Sequence, residues 1–553
     1  MPADQLTPPD TARQEPFRWS RTDSVNTLDN FSPTDPTSQR AFAEQAGIPH
    51  ATFNYWVRSY SPDDKDPIDS FFYSPPGELV LRRIMAAALA TFHQRGACGL
   101  RLLGEFLELS QLNRFVASSR GALHPLAAQF ESNVVAFRDE EQPLLVQQMK
   151  PKRITMILDE HFHSVLICLV GIEPVSNFIL VEAYHEHRDA DTWKKAIEEG
   201  TRGLPLTIIQ ITSDQASALI CCAEKGLHAA HSPDLFHGQH DLLKPILLPL
   251  IRPIQQAEKD LEKAKQHSAK LDGAVESPRP PEKLLAIIES VRSEAVIEQR
   301  LEEAKEHKDE ALEEVRGLGD DYHPFDRETG QPVTAEEVGN RLHGHLDKLA
   351  EVVQEAGLSA KAQESVNKSR TWVGILMGCV AWFWSLAKTR VEALELGEEQ
   401  ERVVYEKLLP GHYWERAAGR ARTAEERKRL QEMAEGLKQE AWEKGGALSS
   451  LSEERRKAAE AVAAESAGLF QRSSSCVEGR NGRLSLQHHG HSRVSERRLK
   501  ALTVLHNYLV QRADGTTAAE RFFGLKHKDL FSWLVNRMPD LPRPAQKRPK
   551  KAA

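Results

Sequence analysis

One part of this chain is patterned as a sheet, and that part limits the fold more than any other. Between residues 153 and 244, "ITMILD" (154–159), "SVLICLVG" (164–171) and "FILVEAYH" (178–185) are three runs rich in β-branched and apolar residues with short connections. They predict a meander of antiparallel strands. Next come "DADTWKKAIEEG" (189–200), a capped amphipathic helix, and "LTIIQITSD" (206–214), a buried-type strand. "QASALICCAEKG" (215–226) reads as a helix with a glycine stop, and "HAAHSPDLFH" (228–237) carries one more short strand. The order βββαβαβ is that of a mixed α/β sheet.

The remainder is expected to be mostly helical. At 553 residues the chain is long enough for several domains. Residues 1–36, rich in Pro, Thr, Ser and Asp, read as a disordered leader. Residues 37–135 read as a helical region, 150–253 as the first part of the α/β core, and 470–540 as its basic second part. Between them, 254–467 is dominated by Glu, Lys, Ala, Gln, Leu and Arg, which predicts long helices or coiled-coil hairpins. The basic tail is 541–553. The uncharged apolar stretch at 372–387 is 16 residues long, short of the ~20 that a membrane-spanning helix needs, and reads as a buried helix; no membrane partner is expected. Six scattered cysteines without a CxxC pair, and no secretory signal, fit a reducing cytoplasm.

"TSQRAFAEQAGIPHATFNYWVRSY" (37–60) opens with Thr37 or Ser38 as N-cap, runs a helix through Ala46, turns at Gly47 and restarts at Pro49. Helix, turn and helix at this spacing suit a DNA reader whose second helix offers His50, Asn54, Tyr55 or Arg58 to bases and phosphates. An ordinary helical hairpin is the alternative. Residues 99–116 read as a second such unit.

The net charge of −8 hides an asymmetry: from Gln471 onward 17 Lys/Arg face 6 Asp/Glu, a surplus of +11, which leaves −19 before it. Polyanion binding is therefore expected in the C-terminal part.

The first and fourth strands each end in an aspartate, Asp159 and Asp214. Carboxylates at neighbouring strand ends can share hard divalent cations. Each alone is also readable as a helix cap or loop hydrogen-bonder, and Glu160 competes with Asp159 for the metal-facing register. A third acidic ligand is needed. Glu478, in "SSSCVEGRNGRLS" (473–485), is the carboxylate between residues 471 and 495, beside Arg480 and Arg483, which are placed to hold DNA phosphates.

Together these residues resemble a DDE-type transposase of the insertion-element kind, with a ribonuclease H-like core, two strand-end aspartates, and a late glutamate beyond a helical insertion. The spacings are 55 residues from Asp159 to Asp214 and 264 from Asp214 to Glu478. "HSPDLFHGQHDLLKP" is similar to the D-x-x-H signature of Mutator-like transposases, which falls on Asp234 and His237, and "DGTTAAERF" to a phrase late in many transposase cores.

The resemblance implies an α/β ribonuclease H-like core interrupted by a large all-α insertion, with an N-terminal helix-turn-helix. It implies Asp159, Asp214 and Glu478 as catalytic, metal-binding residues, with Asp234 and His237 auxiliary. Two Mg²⁺ ions, replaceable by Mn²⁺, would serve cleavage at the element's ends and strand transfer into target DNA. Double-stranded DNA is the expected partner, a homodimer or larger synaptic complex the expected assembly, and the bacterial nucleoid in the cytoplasm the expected place. A nuclease that cleaves without transposing, and a non-catalytic DNA-binding regulator, remain the alternatives.

Overall fold

The structure is a computed structural model that describes residues 27–28, 30–31, 38–59, 67–163, 166–272, 281–472, 474–490 and 494–544. Most of the expected leader, Thr37 and the tail beyond Pro544 lie outside the described residues, as does the side chain of Arg58. The chain is mostly helical with one small mixed sheet, and divides into two units.

The first unit comprises Met1–Gln148, Arg483–Glu520 and Gly524–Ala553. In it, α1 (Gln39–Gln45) is capped by Ser38, whose Oγ accepts from Ala41 N at 3.2 Å. Gly47 makes the turn at φ +69°, a left-handed conformation that glycine adopts without a Cβ penalty, and α2 (His50–Ser59) follows. Ala43, Ile48, Phe53 and Trp56 form a small buried core. Leu28 and Phe31 pack against it, so the segment read as leader up to residue 36 supplies two apolar anchors to a folded element. The second helix-turn-helix expected at 99–116 is absent: after Leu100–Leu109 comes only the three-residue turn Leu112–Arg114.

This unit also holds a buried polar cluster around a carboxylate. Buried Glu131 accepts from Gln94 Nε2 at 3.0 Å and from Arg497 Nε at 3.1 Å, while Arg498 lies 3.9 Å from its other oxygen and contacts His93 Nε2 at 3.1 Å.

The second unit comprises Met149–Gly482 and Arg521–Phe523. Its strands are β1 (Lys152–His163), β2 (Leu166–Glu173), β3 (Phe178–His185), β4 (Leu206–Ser213) and β5 (Ala230–Pro233), in the spatial order β3-β2-β1-β4-β5. The first three form the expected antiparallel meander, and β1–β4 and β4–β5 pair in parallel. Between β3 and β4 runs α3 (Ala190–Gly200), capped by Asp189 and buried through Trp193.

Helix begins sooner after the sheet than the sequence suggests. α4 (Leu235–Asp272) starts directly behind β5 and continues through Pro245, Pro249 and Pro253, ahead of residue 254, where the charged composition had placed the start of the long helices. α5 (Pro281–Asp321), α6 (Ala335–Glu355) and α7 (Ala360–Glu392) join it in a helical core with Ile246, Leu342, Val380 and Phe383 fully buried, to which the later helices add Leu408, Trp414 and Ala463. α7 is long and apolar enough to cross a membrane by length and composition, with mean hydropathy 1.2 in its most apolar window. Expected as a buried helix, it is buried on one face only: Val373, Leu376, Val380 and Phe383 are buried, while Ile375 on the other face is 47% exposed. Trp382 packs against the helical core, and Trp384 donates to Val333 O at 2.9 Å.

Residues 470–540, expected as one basic part of the α/β core, are shared between the units. Residues 470–482 belong to the second unit, and so does the short piece Arg521–Phe523: Arg521 donates to Ser176 O at 2.9 Å, and Phe522 stacks on Phe178 with ring centroids 4.4 Å apart.

Candidate metal centre

The parallel half of the sheet delivers three aspartates to one edge. β1 and β4 are in register through Ile157 and Thr212, and β4 and β5 through Ser213 and Pro233, so Asp159, Asp214 and Asp234 each follow the last paired rung of three adjacent strands. The expectation that β1 ends at Asp159 needs correcting. β1 continues to His163 because β2 goes on pairing with it, Asp159 against Val170, after β4 has parted. Asp159 is thus terminal toward β4 only.

Neighbouring strand residues point to opposite faces. Glu160 turns away, bonded by Arg188 at 2.6 Å and by Trp193 Nε1 at 3.3 Å. Asp159 turns toward residues late in the chain: its Oδ2 accepts from Asn481 Nδ2 at 2.8 Å, and its Oδ1 from Glu160 N at 2.8 Å. Asp214 also serves as the local cap that the sequence allowed, with Oδ1 accepting from Ala216 N at 3.0 Å.

Asp234 is nearly fully buried and holds three partners. Its Oδ1 accepts from Phe236 N at 2.8 Å, and its Oδ2 contacts His237 Nδ1 at 2.9 Å and accepts from Ser474 N at 3.2 Å. The D-x-x-H spacing therefore corresponds to a direct contact across the first turn of α4. Ser474 links this pair to the late glutamate, because its Oγ donates to Glu478 Oε1 at 3.3 Å. Glu478 stands in the first turn of α8 (Ser475–Gly490), and ligand atoms of Asp234, His237 and Glu478 all lie within 4.8 Å of one another.

The titration of these groups reflects one crowded negative edge. Burial pushes Asp159 up to about 6; the Glu160 N–H and His237 oppose the rise, and Asp214 and Asp234 reinforce it. Glu478 is raised by burial and by Asp234. Asp234 goes the other way: burial would raise it, but hydrogen bonds from His237 and Ser474 outweigh that and hold it low. The Asp234 hydrogen bond lifts His237 to about 9, against burial, with help from the charges of Asp234, Asp159 and Asp214. Asp234, His237 and Glu478 bring their ligand atoms together, with Asp159 and Asp214 at the same sheet edge outside that group; such a carboxylate-rich set suits hard divalent cations.

The DNA-contact residues divide. Arg480 is not available to phosphates: its Nε and Nη2 both bond Glu182 at 2.6 Å, and the pair is buried at 6% and 0% side-chain exposure. Two residues past Glu478 on a helix, Arg480 faces β3 instead of solvent. Arg483 is exposed. On α2, His50 and Tyr55 are exposed and Asn54 partly so, the outward face that a DNA reader needs. The C-terminal basic surplus is also smaller at the surface than in the sequence, because Arg480, Arg497, Lys528 and Arg537 are paired with Glu182, Glu131, Glu141 and Glu140. Asn481 was not anticipated, although its place three residues after Glu478 puts both on one helical face.

Residues 404–550 match a family model described as a family of unknown function, DUF6399. That range takes in Glu478 and Asn481 but none of the strands. No curated protein matches the chain.

Proposed function

We propose that this protein is a DDE-type transposase that cleaves phosphodiester bonds at the ends of its element and joins the freed 3′-hydroxyls to target DNA. The observation that carries this reading is the convergence of Asp159, Asp214 and Asp234 from three adjacent strand ends with His237 and Glu478 from the two helices beside them. The strand order, antiparallel on the β3 side and parallel on the β5 side with α3 before β4, is the one expected of a ribonuclease H-like core.

Asp159, Asp214 and Glu478 would hold two Mg²⁺ ions, or Mn²⁺ in their place, with Asp234 and His237 alongside. Bound there, such ions supply Lewis-acid activation of the attacking and leaving oxygens. Asp234 keeps a proton on His237 and fixes the ring, whose side chain is 40% exposed, so that it presents a positive edge to a phosphate. Ser474 ties Glu478 to Asp234 and sets the late carboxylate against the strand-end ones. The outward face of α2 would recognise terminal repeats, and paired ends call for a dimer or larger assembly, acting on the nucleoid in a bacterial cytoplasm.

The test is incubation of the protein with the DNA that flanks its own coding region and Mg²⁺, scored for nicks, double-strand breaks and joined products. Cut and joined products are expected. Cutting without joining makes it a nuclease; binding without cutting makes it a regulator and overturns the enzymatic reading.

A further inference from the structure

We propose that Asn481 is a positioning residue of this centre, whose carboxamide sets the Asp159 carboxylate while leaving its own oxygen unsatisfied. The proposal deepens the metal-centre reading and rests on it.

Three observations carry it. Asn481 Nδ2 donates to Asp159 Oδ2 at 2.8 Å, and Glu160 N donates to Oδ1 at 2.8 Å. Each carboxylate oxygen thus has one fixed donor, which sets its plane and leaves each a further lone pair for a ligand. Second, Asn481 Oδ1 is buried with no hydrogen-bond partner. Turning the amide over would not help, since it would exchange the donor that Asp159 Oδ2 accepts from for an acceptor. A buried amide oxygen without a donor is unfavourable for the fold, so half of this side chain works against stability. Third, α8 is seated by other contacts: Arg480 clamps Glu182 with two bonds of 2.6 Å, and Ser474 N bonds Asp234. The helix does not depend on Asn481 for its place. A residue that leaves its own buried oxygen unpartnered without seating its helix, and that bonds a strand-end carboxylate of the edge, is better explained by the site than by the fold.

The two explanations separate in one pair of measurements on the full chain: the melting temperature of the metal-free protein and the Kd for Mn²⁺ followed by electron paramagnetic resonance. Asn481→Leu has similar size and no polar atoms. It should melt at the same temperature as the natural protein or higher, and bind Mn²⁺ about 10–100-fold more weakly, the range for loss of a partner that orients a metal ligand. Asn481→Gln, which returns a donor on a longer arm, should recover part of that affinity. A leucine variant with natural Mn²⁺ affinity overturns the proposal. So does one that melts lower or does not fold, because Asn481 would then be structural. If the natural protein itself takes up no Mn²⁺, the metal-centre reading fails first, which is a different result from unchanged affinity in the variant.

Discussion

Buried charge is handled in opposite ways in the two units. In the first, the Glu131 carboxylate is met by Gln94, Arg497 and Arg498, so its charge has cations beside it. In the second, Asp159, Asp214, Asp234 and Glu478 share an edge with His237 as the cation in contact among the described residues. Balanced buried ions are explained by folding; an unbalanced set calls for something the polypeptide does not supply. The Glu182–Arg480 pair sharpens the contrast, since it lies in the same unit as the acidic edge and is matched one to one.

The largest effects should come from removing members of the unbalanced set. Replacing Asp159, Asp214 or Glu478 by Ala should lower DNA cleavage by on the order of 10³-fold or more while DNA binding, measured by gel shift, persists. Full activity in any one of the three removes that residue from the site. In the balanced cluster the same kind of change should act on stability instead. Glu131→Ala takes the carboxylate from buried Gln94 and Arg498 and half-exposed Arg497 and should cost about 1–3 kcal/mol in denaturant unfolding. A loss well under 1 kcal/mol would erase the distinction between the units.

A smaller effect of opposite sign is expected for Asp159→Asn in metal-free protein. The folded pKa of Asp159 is raised to about 6, so its stabilising share is complete below the unfolded value near 3.8 and is lost as pH rises through 6. The amide variant escapes that loss and should be the more stable protein at pH 7.5, by on the order of 1 kcal/mol, with the gain shrinking toward pH 4. His237 gives a second window: raised to about 9, it contributes stability below its unfolded value near 6.5 that fades as pH climbs through 9. His237→Gln should flatten the metal-free melting curve across that range, and an unchanged slope would show that the Asp234 contact does not hold the proton. Smallest of all, Tyr55→Ala on the exposed face of α2 should weaken binding to the element's ends by about 0.5–1 kcal/mol, the worth of one hydrogen bond, and leave the metal centre unaffected.

The sheet was legible because its strands carry β-branched runs between short connections, and the order βββαβαβ appears as expected. Asp159 and Asp214 could be picked out because strand ends are visible in such a pattern. The late elements were harder. Glu478 and Arg480 look alike as polar residues on one short helix, yet one faces the acidic edge and the other is buried against Glu182 on β3. That difference depends on the rotation of α8 over the sheet, across an insertion of more than two hundred residues, which spacing does not encode. Leu28 and Phe31 were hidden for the reverse reason: two apolar residues in a Ser/Thr/Asp-rich stretch have no period, and their role exists only once α1 and α2 present a surface.

The most direct test of the unbalanced edge is calorimetric titration of Mg²⁺ and Mn²⁺ into the metal-free full-length protein beside its Glu478→Gln variant at pH 7.5. Saturable binding by the natural protein, with affinity reduced at least ~10-fold in the variant, is the expected result. Equal binding by both, or none by the natural protein, would contradict the assignment of this edge as a metal centre.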